Sequence, residues 1–394
     1  MLKPDYQGGG ILNLMSSLIQ ARGGRGDHPP LDGLPIDDLA RATNLILLVI
    51  DGLGADWLAR QAPDGLLGRA NRGAISSVFP PTTAAAIPTF LTGVAPLQHG
   101  LTGWFTYMGE LGCVMTVLPG TPRYGGVSYR AAGIDTGRLF GNTSVFDRIA
   151  TRGIAVSPAF IAYSDFNRAH IGRGEILTFE TLTGMFKRTL QAIRPSARWG
   201  RPPRPVESKY LYLYWPGLDS IGHAFGMESQ AAIQHLAEIE KALEAFLKAA
   251  AGTDTQLLVC ADHGQIDIQP ADIIDMEDHP ELTECLILPL CGEPRAAYAY
   301  VRPERASRFE SYCRRALDAE VELIASRRLI EEGYFGLGEA HPRILERVGD
   351  YCLLPRDRRI IRQFLPFEQP HPQIGVHGGL SASELMVPLC LFQV

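Results

Sequence analysis

The sequence predicts an α/β protein with a central, mostly parallel sheet flanked by helices and a small α+β insert. Three observations lead there. Three continuous apolar runs of strand length, in NLILLVIDGLG, YLYLYWPGLDS and TQLLVCADHG, each stop at a turn carrying an acidic residue. Segments with helical periodicity lie between them, so strands and helices alternate, as parallel sheets require. A chain of 394 residues, 46% hydrophobic and 20% charged, has enough apolar material for one large core plus a smaller unit.

In chain order, a short apolar helix is expected near Ile11 to Leu18, followed by a Gly/Pro-rich stretch through Pro35. The first buried strand then ends at Asp51 and Gly52. The segment AAAIPTFL reads as a helix preceded by Thr82 and Thr83. RPSARWGRPPR, Arg194 to Arg204, reads as an exposed connection rather than a binding arm. Tyr210 to Trp215 form the second buried strand, with Asp219 beyond it. Gln230 to Lys248 place Ile233, Leu236, Ile239, Leu243 and Phe246 or Leu247 on one helical face. Gln256 to Cys260 form the third strand, leading to Asp262 and His263.

From Cys285 to Asp357 the elements shorten: AAYAYV, an amphipathic run from Glu304 to Leu317, VELIAS and GDYCLLP. Residues 285–357 are therefore expected to form an inserted α+β unit, with 1–284 and 358–394 as the catalytic core. There is no repeat and no low-complexity segment.

The formal net charge of -6 offers no global positive field for polyanions, so nucleic acid is not an expected partner and any phosphate recognition must be local. Seven cysteines without a CxxC pair argue against a thiolate metal knot. No apolar stretch is long enough to span a bilayer, and the N-terminal residues lack the pattern of a signal peptide. The expectation is a soluble protein of a reducing, cytoplasmic compartment, with no membrane partner, whose metal chemistry would use Asp and His.

Ligands in open α/β sheets gather at the carboxyl ends of strands, where these acidic turns fall. DSIGHAFG sets Asp219 and His223 four residues apart, close enough to converge on one ion. ADHG puts Asp262 and His263 side by side, and IGVHGGLS supplies His377 among glycines. Thr83, at the start of a helix whose first N–H groups and positive dipole end would favour an anion, could be a plain N-cap. Its hydroxyl becomes a nucleophile at neutral pH only with a base or a metal beside it. The Asp and His residues make that requirement satisfiable. Trp104 and Tyr107, with His99 and Phe105, are candidates to line a substrate pocket.

IDGLG, TTAAAIPTFLTG, GLDSIGHAFG, ADHG and VHGG, in this order and spacing, resemble the alkaline phosphatase superfamily, most closely its type I phosphodiesterase/nucleotide pyrophosphatase branch. The likeness runs from about Asn44 to the C-terminus. It implies an alkaline-phosphatase-like fold and a metal-dependent hydrolase of phosphodiester or pyrophosphate bonds acting on a small phosphorylated substrate through a phosphothreonine. It also implies that Asp219, His223 and His377 hold one ion, and that Asp51, Asp262 and His263 hold a second, to which Thr83 is bound. Zn²⁺ is the family's usual metal, and such ligands also accept Mn²⁺. Register favours Thr83 over Thr82, because the family's nucleophile lies nine residues before the Thr of the TG pair, here Thr92 and Gly93.

One departure concerns the branch's phosphate-binding Asn, at whose offset this chain carries Trp104. A sulfatase is disfavoured, since TTAAA has no CxPxR context. A phosphonate hydrolase, a phosphomonoesterase or phosphomutase of the same superfamily, and a phosphate- or metal-binding protein without turnover stay open as alternatives.

Overall fold

An apolar run without alternation is stable as a strand only if both of its faces are covered. In the computed structural model, which describes residues 2–194, 207–368 and 373–394, strand β1 (Asn44–Ile50) is buried along its whole length. It occupies the middle of a seven-stranded sheet. The other members are β2 (Asn71–Ser76), β3 (Arg152–Pro158), β4 (Glu175–Phe179), β5 (Lys209–Trp215), β6 (Thr255–Cys260) and β7 (Met386–Gln393). Their spatial order is β2-β7-β6-β1-β5-β3-β4. β1 pairs in parallel with β5 and β6, and only β7 runs against its neighbours.

Register sets the site. Ile50 lies opposite Trp215, and Val49 opposite Cys260, so β1, β5 and β6 end level with one another. Their next residues deliver Asp51, the Gly217–Phe225 helix bearing Asp219, and Asp262 with His263 to one edge.

Helices cover the sheet as the periodicities require. Ile11–Ala21 is buried almost throughout. Gln230–Ala249 buries Ala232, Leu236, Ile239, Leu243 and Phe246, with Ile233 and Leu247 partly covered beside them. Leu47, fully enclosed in β1, is a test of this core. Leu47→Ala is expected to cost about 2–5 kcal/mol, read as a lower denaturant midpoint with little change in slope.

A second seven-stranded sheet, wholly antiparallel, runs in the order Val321–Ala325, Tyr351–Pro355, Ala296–Ala299, Cys291–Glu293, Phe105–Met108, Cys113–Thr116, Thr121–Pro122. The strands of the 285–357 segment thus continue into strands from residues 105–122. The amphipathic run forms the Ala306–Tyr312 helix and continues in a π-helical turn, Cys313–Leu317. No helix among the described residues is long and apolar enough to cross a membrane. The seven cysteines are unpaired. Of the Arg194 to Arg204 connection, residues 195–204 lie outside the described residues.

Candidate active site

Thr83 opens the helix Thr83–Thr92. Its neighbour Thr82 is the N-cap residue, but the Thr82 hydroxyl caps nothing in the helix and donates instead to Glu293 Oε1 at 2.7 Å. The first turn is thus left without a side-chain cap; the Ala85 N–H bonds the Thr82 carbonyl at 3.0 Å, and the N–H groups before it and the positive dipole end are available to an anion. Thr83 Oγ1 lies 3.1 Å from His263 Nε2. Of the two adjacent threonines, it is Thr83 that the fold directs at the Asp/His cluster.

That cluster has two groups of ligand atoms lying within 4.8 Å of one another: Asp51, Asp262 and His263, and Asp219, His263 and His377. His223 joins the second through Nε2, 3.3 Å from Asp219 Oδ1, while His377 Nε2 is 3.9 Å from the same oxygen. The rings of His263 and His377 stack with centroids 3.7 Å apart. All six residues expected to hold metals, together with Thr83, are therefore brought to one place.

The imidazoles share one orientation. His223 Nδ1 faces the Gly375 carbonyl at 2.7 Å, His263 Nδ1 that of Gly264 at 3.1 Å, and His377 Nδ1 that of Pro81 at 3.3 Å. A carbonyl only accepts, so each neutral ring carries its proton on Nδ1 and turns an Nε2 lone pair inward. Burial, and next the neighbouring His263 and His223, hold His377 well below the ordinary imidazole range, which keeps it in the neutral, ligating form.

The carboxylates show the complementary deficit. Asp51 Oδ2 accepts from the Tyr214 hydroxyl, and Asp262 Oδ1 accepts from the Gly52 and His263 N–H groups at 3.3 and 3.1 Å. Asp51 Oδ1 and Asp262 Oδ2 are buried without any hydrogen-bond donor. They lie 3.2 and 3.5 Å from His263 Nε2. Two bare carboxylate oxygens facing an imidazole lone pair repel one another unless a cation sits among them. Burial, followed by the negative charges of Asp219 and Asp262, pushes the Asp51 carboxyl well above its usual range. The donor set of nitrogens and carboxylate oxygens therefore fits divalent metal ions.

Several residues support the ligands without holding a metal themselves. Gln265 donates to the Asp219 carboxylate and, at 3.2 Å, to the Asp219 carbonyl. Gly52, at φ +78°, lets the chain turn beneath Asp219, where a Cβ would sit 3.0 Å from the Asp219 Cα. Tyr214 holds Asp51. Tyr214→Phe is expected to preserve the fold but weaken metal binding about 10–100-fold, as loss of an outer-shell partner does, measured by competition with a chelator.

Thr83, Asp219, His223 and His377 form one side of a cavity of about 700 Å³. Ile268, Ile273, Leu290, Ile360 and Phe364 make much of the remainder apolar. Trp104 and Phe105 line it as well. Tyr107 is not among the lining residues and packs edge-on against Tyr300, with centroids 5.5 Å apart. His99 is fully buried, 3.3 Å from the Thr89 hydroxyl, and accepts the Leu101 N–H. Sequence reasoning did not find Glu293. It is 7% exposed, lines the cavity, and accepts on Oε1 from Thr82 and, at 2.6 Å, from the Trp104 N–H.

Comparison with known proteins bears on the family and the fold. The family model described as type I phosphodiesterase / nucleotide pyrophosphatase matches residues 45–329. No curated protein matches the chain in sequence. Among solved structures, murine ectonucleotide pyrophosphatase / phosphodiesterase 5 superposes with a TM-score of 0.64 at 15% identity, over 88% of this chain and 87% of that one. An inactive threonine-to-alanine variant of the same murine protein, in complex with AMP, gives 0.62 at 14% identity with the same coverage. Phosphonoacetate hydrolase from Sinorhizobium meliloti 1021, in complex with phosphonoacetate, gives 0.58 at 18% identity, over 88% of this chain and 89% of that one. Identities this low establish a shared alkaline-phosphatase-like fold, and the family match covers most of the chain. The chain belongs to the type I phosphodiesterase/nucleotide pyrophosphatase family of the alkaline phosphatase superfamily, and is a hydrolase of that kind.

Proposed function

We propose that this protein hydrolyses phosphodiester or pyrophosphate bonds of a small phosphorylated substrate, with Thr83 as nucleophile and two divalent ions, zinc or manganese, as cofactors. Asp219, His223 and His377 would hold one ion, and Asp51, Asp262 and His263 the other, with the Thr83 hydroxyl beside it. The observation that carries the reading is Thr83 Oγ1, 3.1 Å from His263 Nε2, next to two buried carboxylate oxygens that have no donor.

When bound, the ions supply Lewis acidity: they lower the pKa of the Thr83 hydroxyl and of water, and offset charge on the phosphoryl oxygens. The chain's own groups do the rest. Thr83 Oγ1 attacks phosphorus in line and displaces the leaving group, giving a phosphothreonine. Uncapped N–H groups at the start of the Thr83–Thr92 helix receive phosphoryl oxygens. The largely apolar wall opposite accommodates the organic part of the substrate. Water then cleaves the phosphothreonine, which frees the product and restores the hydroxyl. The inactive threonine-to-alanine form of the murine structural relative, solved with AMP, supports the assignment of a threonine to this role.

Residues 285–357 would act as a unit that closes one side of the cavity through Cys291 and Glu293 while sharing its sheet with residues 105–122. Seven unpaired cysteines support a reducing, cytoplasmic setting.

The likeness to phosphonoacetate hydrolase favours carbon–phosphorus cleavage as the second reading. A panel separates them: a p-nitrophenyl diester, p-nitrophenyl phosphate, a dinucleotide pyrophosphate and phosphonoacetate, each with Zn²⁺ or Mn²⁺. Turnover of the diester or pyrophosphate, abolished by a chelator, is the expected result. Turnover of phosphonoacetate alone supports the second reading. Metal binding with no turnover of any substrate would mark a binding protein and refute the proposal.

A further inference from the structure

Glu293 is a buried acid in a phosphate-handling cavity, and the mechanism above gives it no task. It ends the strand Cys291–Glu293 and borders Gly378, the residue after His377: a Cβ built on Gly378 would approach the Glu293 Cβ to 2.9 Å. Both of its donors, the Thr82 hydroxyl and the Trp104 N–H, reach the same oxygen, Oε1. Oε2 accepts no hydrogen bond among the described residues, and the side chain lines the same cavity as Thr83, Asp219 and His377.

A side chain with one oxygen fastened by two donors is held in place. Here one donor is Thr82, the immediate neighbour of Thr83. The other comes from Trp104, so the edge of the cavity beside the proposed nucleophile carries an acceptor. Burial pushes the Glu293 carboxyl up to about 7, against the two donors and the nearby His263, which favour the ionised form, so the side chain carries its charge on the alkaline side of neutrality.

We propose that Glu293 is a specificity-determining residue that makes the site accept phosphodiesters and reject phosphomonoesters. A diester monoanion has two unesterified oxygens, whereas a monoester dianion has three. With Glu293 ionised, the third would bring a second negative charge toward a fixed carboxylate. An ester arm at the same point is uncharged and is received by Trp104 and Phe105. Selectivity thus arises from an unfavourable contact with the wrong substrate as well as favourable contacts with the right one. This inference rests on Thr83 and the metals handling a phosphoryl group.

The test uses methyl p-nitrophenyl phosphate and p-nitrophenyl phosphate, which share a leaving group and differ by one ester methyl. Wild type and Glu293→Gln, both metal-loaded with equal metal content, are compared on the alkaline side of neutrality, where Glu293 is ionised. Glutamine keeps the length and an oxygen for the two donors, and removes the charge. The ratio of kcat/KM for diester over monoester is expected to fall at least 10-fold, about 1.4 kcal/mol, in Glu293→Gln. A loss of packing alone would slow both esters and leave the ratio in place.

A second readout needs no turnover. Calorimetric binding of inorganic phosphate and of dimethyl phosphate is measured in Thr83→Ala and in Thr83→Ala combined with Glu293→Gln. Phosphate is expected to bind at least 10-fold more tightly to the double variant, with dimethyl phosphate little changed. A ratio and a phosphate affinity both unmoved by Glu293→Gln would overturn the role of Glu293. If neither ester is turned over, the phosphodiester reading fails and the phosphate affinity alone decides for or against Glu293.

Discussion

Thr83→Ala is expected to lower kcat/KM for a phosphodiester by about 10³-fold or more with both ions still bound, because loss of the proposed nucleophile would remove the covalent route and leave only positioning and electrostatics. The substitution is conservative for the fold. Thr83 lies at the helix start, its hydroxyl caps no backbone group, and alanine suits the Ala-rich first turn that follows. A helix-capping role would belong to Thr82, whose own hydroxyl is engaged with Glu293. Thr82→Ala, by the same logic, is expected to act through Glu293 and to spare most of the turnover. Steady-state kinetics with metal content measured on the same samples check the prediction. Near-wild-type turnover by metal-loaded Thr83→Ala would rule out the phosphothreonine route.

Removal of the metals is expected to have the second large effect, on stability as well as activity. Asp51 and Asp262 are buried, and each leaves one oxygen without a donor. In the metal-free protein these charges face each other with little screening, a cost that breaking a buried pair puts at about 3–5 kcal/mol. The sign of the pH dependence follows from Asp51, whose folded pKa is raised well above the ordinary 3.8. An acid with a raised folded pKa contributes nothing adverse below 3.8. It destabilises the fold increasingly as pH rises from there to the folded value, because the unfolded chain ionises first.

Metal binding reverses that cost, and protons compete with it less as pH rises. Ions that bind only the folded state at a hundred times their Kd add about 2.7 kcal/mol per site. The gap in Tm between loaded and chelated protein is therefore expected to widen from acid to neutral pH, with activity absent throughout in the chelated form. A Tm unaffected by the chelator at neutral pH would contradict this account of Asp51 and Asp262.

The parts of this molecule that were legible in sequence are those whose physics is local. A fully buried strand needs an unbroken apolar run, and an acidic residue directly after it reaches the sheet edge whatever the rest of the fold does. Asp51 and Asp262 were visible for that reason, and Asp219 and His223 because four residues span one helical turn. Their convergence was not visible from spacing alone. It follows from Ile50 lying level with Trp215, and Val49 with Cys260, and it is the family resemblance that anticipated it.

Long-range pairing left no such mark. The strands at Phe105–Met108 and Cys291–Glu293 meet through a single pairing, Gly292 with Phe105, across nearly half the chain. Nothing periodic announces it, and an inserted unit read from 285–357 alone omits three of the seven strands of its sheet. Glu293 was missed with it, since CGEPR resembles a surface turn until Thr82 and Trp104 close over the side chain. Tyr214 was read only as part of a strand core, although its hydroxyl end reaches Asp51. Gln265, two residues past His263, offered the one local hint: a polar residue that continues the ADHG turn.

The proposed chemistry depends on a two-ion centre beside Thr83. The most direct measurement is metal analysis of the purified protein joined to anomalous diffraction from its crystals. Two ions per chain are expected, one among Asp219, His223 and His377 and one among Asp51, Asp262 and His263, the latter within bonding reach of Thr83 Oγ1. Fewer than one ion per chain after incubation with Zn²⁺ and Mn²⁺, or ions bound away from these residues, would contradict it.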